Sequence, residues 1–387
     1  MALHFPRETF FDRIGATRQR MQAEGLDALL VFAQESHYYL TGFDTSGYVF
    51  FQCTIITADD RPPILLTRRP DLVQAQRTSV VEDIRIWYDD EGADPSVDLK
   101  AILEQLGLAG RRVGMETDNF GLVGKNYARV QARLADWCTL SDASHLVRAQ
   151  RVVKSAEELR YVREAARLAD DSLVAMLDAA RPGAFEGDIA AAGAAVQFRG
   201  GGDPPPGGPV LGSGERALLV RTAAGYRHLD AQDQLTLEFA ASYRHYCACL
   251  MRTVAIGRHD ARQARMFDIT LQALAAMTAA AVAGNPLGDI DRAHRRVFDQ
   301  HGYGHARMAA CGYSLGATFR PSWMDVPPLL FAENGTLAQP GMVLFLHAIL
   351  MDTTHNLAMS LGHTLVVAEN GPPEVLTRLT PAYDVRV

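Results

Sequence analysis

The chain has 387 residues, a formal net charge of −7, 48% hydrophobic and 21% charged residues. That length and balance describe a globular protein of two or three domains with real cores. The acidic excess and the lack of a dense basic cluster argue against nucleic acid as a partner, and no segment approaches the roughly 18 consecutive apolar residues of a membrane span. The opening MALHFPRETFFDRIG mixes acidic and apolar residues and does not read as a signal peptide. Five cysteines, Cys53, Cys138, Cys247, Cys249 and Cys311, are odd in number and scattered apart from one C-x-C. This usage predicts reduced thiols in the cytoplasm rather than a disulfide framework. Cys247-x-Cys249 lacks a second Cys/His pair at zinc-ligand spacing.

The first 150 residues alternate helix and strand patterns. Phe11 to Ala23 reads as a helix, Asp27 to Ala33 as a buried strand, and Tyr48 to Thr57 as another. Pro63 to Leu66 and Val113 to Glu116 are further short apolar runs, so residues 1–150 read as an α/β domain. From Val152 to Ala180 apolar residues step by three and four (Leu159, Val162, Ala166, Ala169, Leu173, Met176), the mark of one long amphipathic helix. Ser155 and Glu158 form a capping box near its start, and Arg181-Pro182-Gly183 ends it. A second domain, residues 151–387, opens here.

Gly200 to Gly208 (GGGDPPPGG) is a breaker-rich loop. Gln234 to Tyr243 and Tyr246 to Gly257 read as an antiparallel strand pair, Ala261 to Ala283 and Ile290 to Gln300 as helices, and Met342 to Met351 and Ala358 to Ala368 as two more strands. No repeat at a solenoid period is present.

Two residues interrupt apolar strands. Glu238 sits in QLTLEFAAS, where a carboxylate is costly unless it is exposed or has a task. Strand alternation puts Thr236, Glu238 and Ala240 on one face and Leu235, Leu237 and Phe239 on the other. Such a Glu serves as a proton shuttle or a nucleophile, and burial raises its pKa. His347 is the one imidazole in LFLHAILM; it is either a core histidine or an acid–base partner for Glu238. Arg320, Trp323 and Asp325 lie in the proline-stiffened FRPSWMDVPP. An Arg there suits a substrate carboxylate and a Trp a planar cation, with a surface salt bridge as the plainer reading.

Several segments resemble the pita-bread fold family, which includes methionine aminopeptidase, prolidase, aminopeptidase P and creatinase. They are LEFAASYRHYCACLMRT (Leu237 to Thr253), CGYSLG from Cys311, PGMVLFLH up to His347 and LGHT up to Thr364. The resemblance implies an α/β N-terminal domain, a junction near residue 150 and an α+β pita-bread catalytic domain. Metal-binding members carry Asp, Asp, His, Glu and Glu where this chain has Glu238, Cys249, Tyr313, His347 and Gly362. Hard divalent ions need several carboxylates, so no metal and no cofactor is expected. Tyr313 then offers a hydroxyl to a developing charge, and Cys249 fills space or touches substrate. Creatinase-like enzymes place a catalytic His where this chain has Arg221; His228 lies nearby but out of register.

Within that group the likeness is greatest to ectoine hydrolases, carried by QESHYYLTGFDTSGYVFFQC, WYDDEGADPSVDL (Trp87 to Leu99), LTLEFA and GYSLGATFRPSWMD. It implies a metal-independent hydrolase that opens a cyclic amidine to an N-acetyl-diaminobutyrate, acting as a homodimer on a small zwitterion. Glu238, His347 and Tyr313 would carry the chemistry; Arg320, Trp323, Asp325, Arg221, His228 and Cys249 would contact substrate. The alternatives are another amidine or guanidine hydrolase, a metallopeptidase with unusual ligands, and a non-catalytic binding module.

Overall fold

The structure is a computed structural model that describes residues 3–387; Met1 and Ala2, the start of the segment read above as lacking a signal peptide, lie outside the described residues. The chain divides into two compact units, the second spanning Val152–Val387. Among the described residues no helix is long and apolar enough to cross a membrane.

The first unit is a mixed sheet with helices. Its strands are β1 (Ala28–Val31), β2 (Cys53–Thr57), β3 (Ile64–Arg68), β4 (Asp83–Trp87), β5 (Arg112–Met115) and β6 (Thr139–Asp142), in the order β4-β3-β2-β1-β5-β6. Its helices are α1 (Arg7–Ala23), α2 (Gln34–Thr41), α3 (Leu72–Thr78), α4 (Pro95–Gln105), α5 (Gly124–Leu134) and α6 (His145–Arg151). The strand read over Tyr48 to Thr57 is shorter: Gly47–Val49 is a 3-10 turn that leaves Val49 and Phe50 exposed, and pairing begins only at Cys53. Glu116, read as the end of a strand, is a buried carboxylate that accepts the backbone N–H groups of Phe32 and Ala33 and the hydroxyl of Ser36. It thereby satisfies donors at the start of α2 that have no partner within the helix.

The second unit opens with α7 (Ala156–Ala179) and α8 (Glu186–Arg199), continues through β7 (Val210–Ser213), β8 (Asp233–Tyr243) and β9 (Tyr246–Ile256), then α9 (Ala261–Ala280) and α10 (Gly288–Gln300). The strands β10 (Gly312–Ser314), β11 (Val343–Asp352), β12 (Leu357–Val366), β13 (Glu374–Val375) and β14 (Val385–Arg386) follow. The main path is antiparallel, β10-β11-β12-β9-β8-β7. The long helix starts at Ala156 rather than Val152, because Val153 bridges Met342 and Lys154 N–H is held by Gly341 O. The Ser155–Glu158 capping box is formed. Glu158 does a second job, accepting the Tyr246 hydroxyl at 2.7 Å and so tying the first turn of α7 to β9.

Alternation along the strands decides which side chains meet the helices. Leu235, Leu237, Phe239 and Ala241 of β8 pack with Leu168, Leu173 and Met176 of α7. Leu344, Leu346, Ala348 and Leu350 of β11 pack with Met266, Leu274 and Met277 of α9 and with Ile290 and Phe298 of α10. Each fully buried Leu contributes roughly 1.5–3 kcal/mol. That burial fixes the register, since a slip by one residue would turn the apolar set away from the helices. It also fixes what faces the other way: Glu238 on β8, and Phe345, His347 and Ile349 on β11.

The cap is separable from this core. Ser155→Ala should lower stability to urea by about 1 kcal/mol without altering the far-ultraviolet circular dichroism, and an unchanged midpoint would refute the role given to the cap.

Candidate active site

A cavity of about 410 Å³ opens on the sheet face opposite the helices. Glu238, Tyr313, His347, Trp323 and Arg221 line it, set among apolar side chains such as Val210, Met308, Leu329 and Ile349. A larger hollow of about 670 Å³ elsewhere in the unit is lined by polar and charged residues, including Arg216, Arg227, Asp233 and Asp260, and receives none of the residues singled out above. Apolar walls with a few convergent polar groups are the mark of a small-molecule site, and they favour the smaller cavity.

One directed chain of hydrogen bonds organises it. The Trp323 indole Nε1–H donates to the Tyr313 hydroxyl oxygen at 2.7 Å, and the Tyr313 O–H donates to Glu238 Oε1 at 3.2 Å. An indole can only donate, so the phenol receives from Trp323 and turns its own proton to the carboxylate. Both rings are buried, Trp323 at 9% and Tyr313 at 6% exposure. Burial raises the Glu238 pKa from its ordinary 4.5 to about 7, against the lowering effect of the Tyr313 hydrogen bond and of the Arg221 charge. A carboxyl that titrates near neutrality is suited to take and return a proton.

His347 lines the same cavity from β11, its ring 5.7 Å from that of Tyr313. Its Nδ1 is sealed without a partner, which leaves Nε2 as the nitrogen toward the cavity. Burial, with a further push from His294, lowers its pKa to about 3. The imidazole is therefore neutral, a hydrogen-bonding group rather than a cation.

The five positions that the resemblance sets against metal ligands lie in or beside this cavity, and the residues present do not fit a pair of divalent ions. Glu238 is the single carboxylate. Cys249, paired with Ala240 across β8 and β9, is fully buried beneath the cavity rather than on its lining, and burial together with the nearby Cys247 and Glu238 pushes its thiol well above the usual range. Gly362 stands opposite His347 in the β11–β12 register. A Cβ there would lie 2.7 Å from Phe345 Cζ and 2.9 Å from Leu346 O. The Phe345 ring thus fills the space of the missing side chain and completes an aromatic cluster with Tyr313 at 5.4 Å and His347 at 5.6 Å. Hard cations need oxygen donors where this site presents carbon.

The remaining candidates divide. Arg221 is exposed yet lines the cavity. His228 lies outside the lining: its Nδ1 meets Gly183 O at 3.1 Å and its ring packs on Phe185. Arg320 is exposed and also outside the lining, although Pro321, Ser322, Trp323 and Met324 beside it belong to it. Asp325 is buried and turned away, its Oδ2 lying 2.2 Å from where a Cβ on Gly316 would stand. Two features escaped the sequence reading. The apolar wall (Val210, Val220, Met308, Leu329, Ile349) comes from loops and strands distant in the chain, and Phe345 looked like any core residue. The one available signal was Gly362, a glycine in mid-strand, which marks close approach by another group.

The fold and this residue set define a two-domain hydrolase scaffold of the creatinase and prolidase type. Residues 160–369 match metallopeptidase family M24 and residues 13–153 match the creatinase/prolidase N-terminal domain; the chain belongs to the M24 family. It is 26% identical over 358 residues to the ectoine hydrolase of Halomonas elongata, covering 88% of this chain and 89% of that one. It is 27% identical over 354 residues to the uncharacterized hydrolase/peptidase y4tM of Sinorhizobium fredii, covering 89% and 90%. Among solved structures, a recombinant prolidase from Thermococcus sibiricus matches with a TM-score of 0.87 at 16% identity, over 98% of this chain and 99% of that one. At that identity the likeness concerns the fold alone.

Two outcomes follow from the geometry. The unfolded chain releases the Glu238 proton near pH 4.5 and the folded chain keeps it to about 7, so this residue costs stability as the pH rises through that window, fully so above it. Glu238→Gln removes the cost. In thermal melts its advantage over the wild type should grow from pH 4.5 to 7 and then level off; a difference independent of pH would contradict the buried carboxylate. Gly362→Ala should cost about 1–3 kcal/mol through overpacking against Phe345, measured by chemical denaturation.

Proposed function

We propose that this protein is a metal-independent hydrolase that opens the cyclic amidine of ectoine to an N-acetyl-diaminobutyrate. The observation that carries the reading is Glu238: one buried carboxylate, titrating near neutrality, held by Tyr313 and Trp323 in a cavity whose donors do not suit a metal pair. The likeness to the Halomonas ectoine hydrolase supports it.

The substrate is a zwitterion, an amidinium with a carboxylate. In this reading Glu238 pairs with the amidinium and Arg221, at the cavity edge, holds the carboxylate. The amidinium carbon is already electrophilic and needs no Lewis acid. Glu238 takes one proton from a water as its oxygen bonds to that carbon. It returns the proton to a ring nitrogen, the bond from carbon to that nitrogen breaks, and the remaining hydroxyl proton passes to the departing amine. The products are an acetamide and an ammonium, with one water consumed and Glu238 restored as carboxylate. His347 stays neutral and accepts an N–H of the amidinium or orients the water. The Tyr313 hydroxyl steadies Glu238 in its charged form.

Mass spectrometry of the protein incubated with ectoine, with and without a strong chelator, tests this. The expected product is one water heavier and insensitive to chelator; activity abolished by chelator, or no product at all, would reject the proposal. Glu238→Gln should lower kcat by about 10²–10⁴-fold. Tyr313→Phe removes a hydrogen bond that favours the carboxylate, so the acidic limb of kcat/KM against pH should move upward rather than downward.

A further inference from the structure

The proline-rich loop between α8 and β7, GGGDPPPGG in the sequence, takes no part in the proposed chemistry, yet it reaches the hydrogen-bond chain that supports Glu238. It is tied at both ends. After α8 the Gly202 N–H donates to Gln197 O and the Asp203 N–H to Ser242 O, both at 2.9 Å, and Asp203 Oδ2 accepts the His245 N–H at 2.9 Å. At the far end Val210 pairs with Glu238 in the β7–β8 register. Between these ties Pro204, Pro205, Pro206 and Pro209 each fix φ. Pro205, Gly207 and Pro209 share a hollow of about 40 Å³ with Phe239 and Ala240 of β8, which seats the loop beside that strand.

Gly207 meets the indole of Trp323. A Cβ on Gly207 would stand 3.0 Å from both Cε3 and Cζ3 of that ring and 3.7 Å from Pro321 O. Carbon atoms in ordinary contact keep about 3.5–4.0 Å, so a residue without a side chain lets the backbone lie on the ring. Backbone conformation does not itself call for glycine here, because Gly207 is not left-handed. Gly208, one residue on, would place its Cβ in open space. Cε3 and Cζ3 belong to the six-membered ring of the indole, and Nε1, which donates to Tyr313, belongs to the five-membered ring of the same rigid plane. A push at one edge is therefore carried to the donor at the other, and hydrogen bonds weaken steeply as they lose alignment.

We propose that Gly207 is a positioning residue: the bare backbone of the proline-rich loop forms one wall of the seat that aims the Trp323 Nε1–H at Tyr313, and through Tyr313 it steadies the Glu238 carboxylate. The seat is a matter of geometry alone; its effect on turnover rests on the function proposed above. The rival reading is a tight turn with no role beyond connecting α8 to β7. Gly207 and Gly208 separate the two readings, since the first lies on the ring and the second touches nothing.

The test is nitrogen-15 NMR of the indole N–H groups in the full-length protein, which has three tryptophans, with Trp323 identified by its absence in Trp323→Phe. Gly207→Val should move the Trp323 indole proton signal upfield and speed its exchange with solvent, leaving Trp87 and Trp137 in place, whereas Gly208→Val should move none of the three. With ectoine, Gly207→Val should move the acidic limb of kcat/KM upward by roughly half a pH unit, the worth of one weakened neutral hydrogen bond, because Tyr313 then donates less well to the carboxylate. Gly208→Val should leave that limb unmoved. In Trp323→Phe, which has already lost the donor, adding Gly207→Val should shift the limb no further. An unmoved Trp323 signal in folded Gly207→Val, an equal displacement in Gly208→Val, or a further shift in the double variant overturns the proposal. If Gly207→Val does not fold, Gly207→Ala puts a single carbon at the 3.0 Å contact and must move the signal in the same direction. Absence of ectoine turnover by the wild type would reject the proposed substrate and leave the indole signal to decide the seat.

Discussion

A single carboxylate on the wrong side of an apolar sheet is the constraint on which the site depends. Glu238 faces the cavity because its neighbours Leu237 and Phe239 are needed against α7, and alternation leaves it no other direction. In that position it is costly, and the surroundings reduce the cost without removing it. Trp323 fixes the Tyr313 hydroxyl, Tyr313 donates to the carboxylate, and Arg221 adds a positive charge at the edge. Desolvation still exceeds these effects, so the group titrates near neutrality. The same balance makes it a poor stabiliser and a good acid–base group.

Packing constrains the site as much as its chemistry does. Position 362 carries no side chain, and the Phe345 ring occupies the space beside it, against Tyr313 and His347. Tyr313 and His347, together with apolar residues from distant segments, line the cavity. A side chain at position 362 would therefore require moving a ring. Membership of the M24 family describes the scaffold; what the site can do follows from the side chains it now holds.

Burial around His347 shows how the second layer is arranged. The ring is neutral because it is desolvated, and its Nδ1 is sealed without a partner. A helix whose apolar residues Ile290 and Phe298 pack on the sheet thus also brings Asp291 and His294 behind the site.

Much was legible in the chain itself. Apolar periodicity marked the strands β8, β9, β11 and β12 and the helix α7, because burial of one face demands it, and the Ser155–Glu158 cap marked where that helix begins. Glu238 and His347 stood out because each breaks an apolar run. Tertiary structure decided the rest, since contacts between distant segments leave little trace in local pattern. It joined Trp323 to Tyr313 and Tyr313 to Glu238. It turned His228 and Asp325 away from the cavity, sealed Cys249 beneath it, and seated Phe345 over Gly362. Local sequence carries the period of an element and the cost of a misplaced charge; which groups offset that cost is set only when the strands meet.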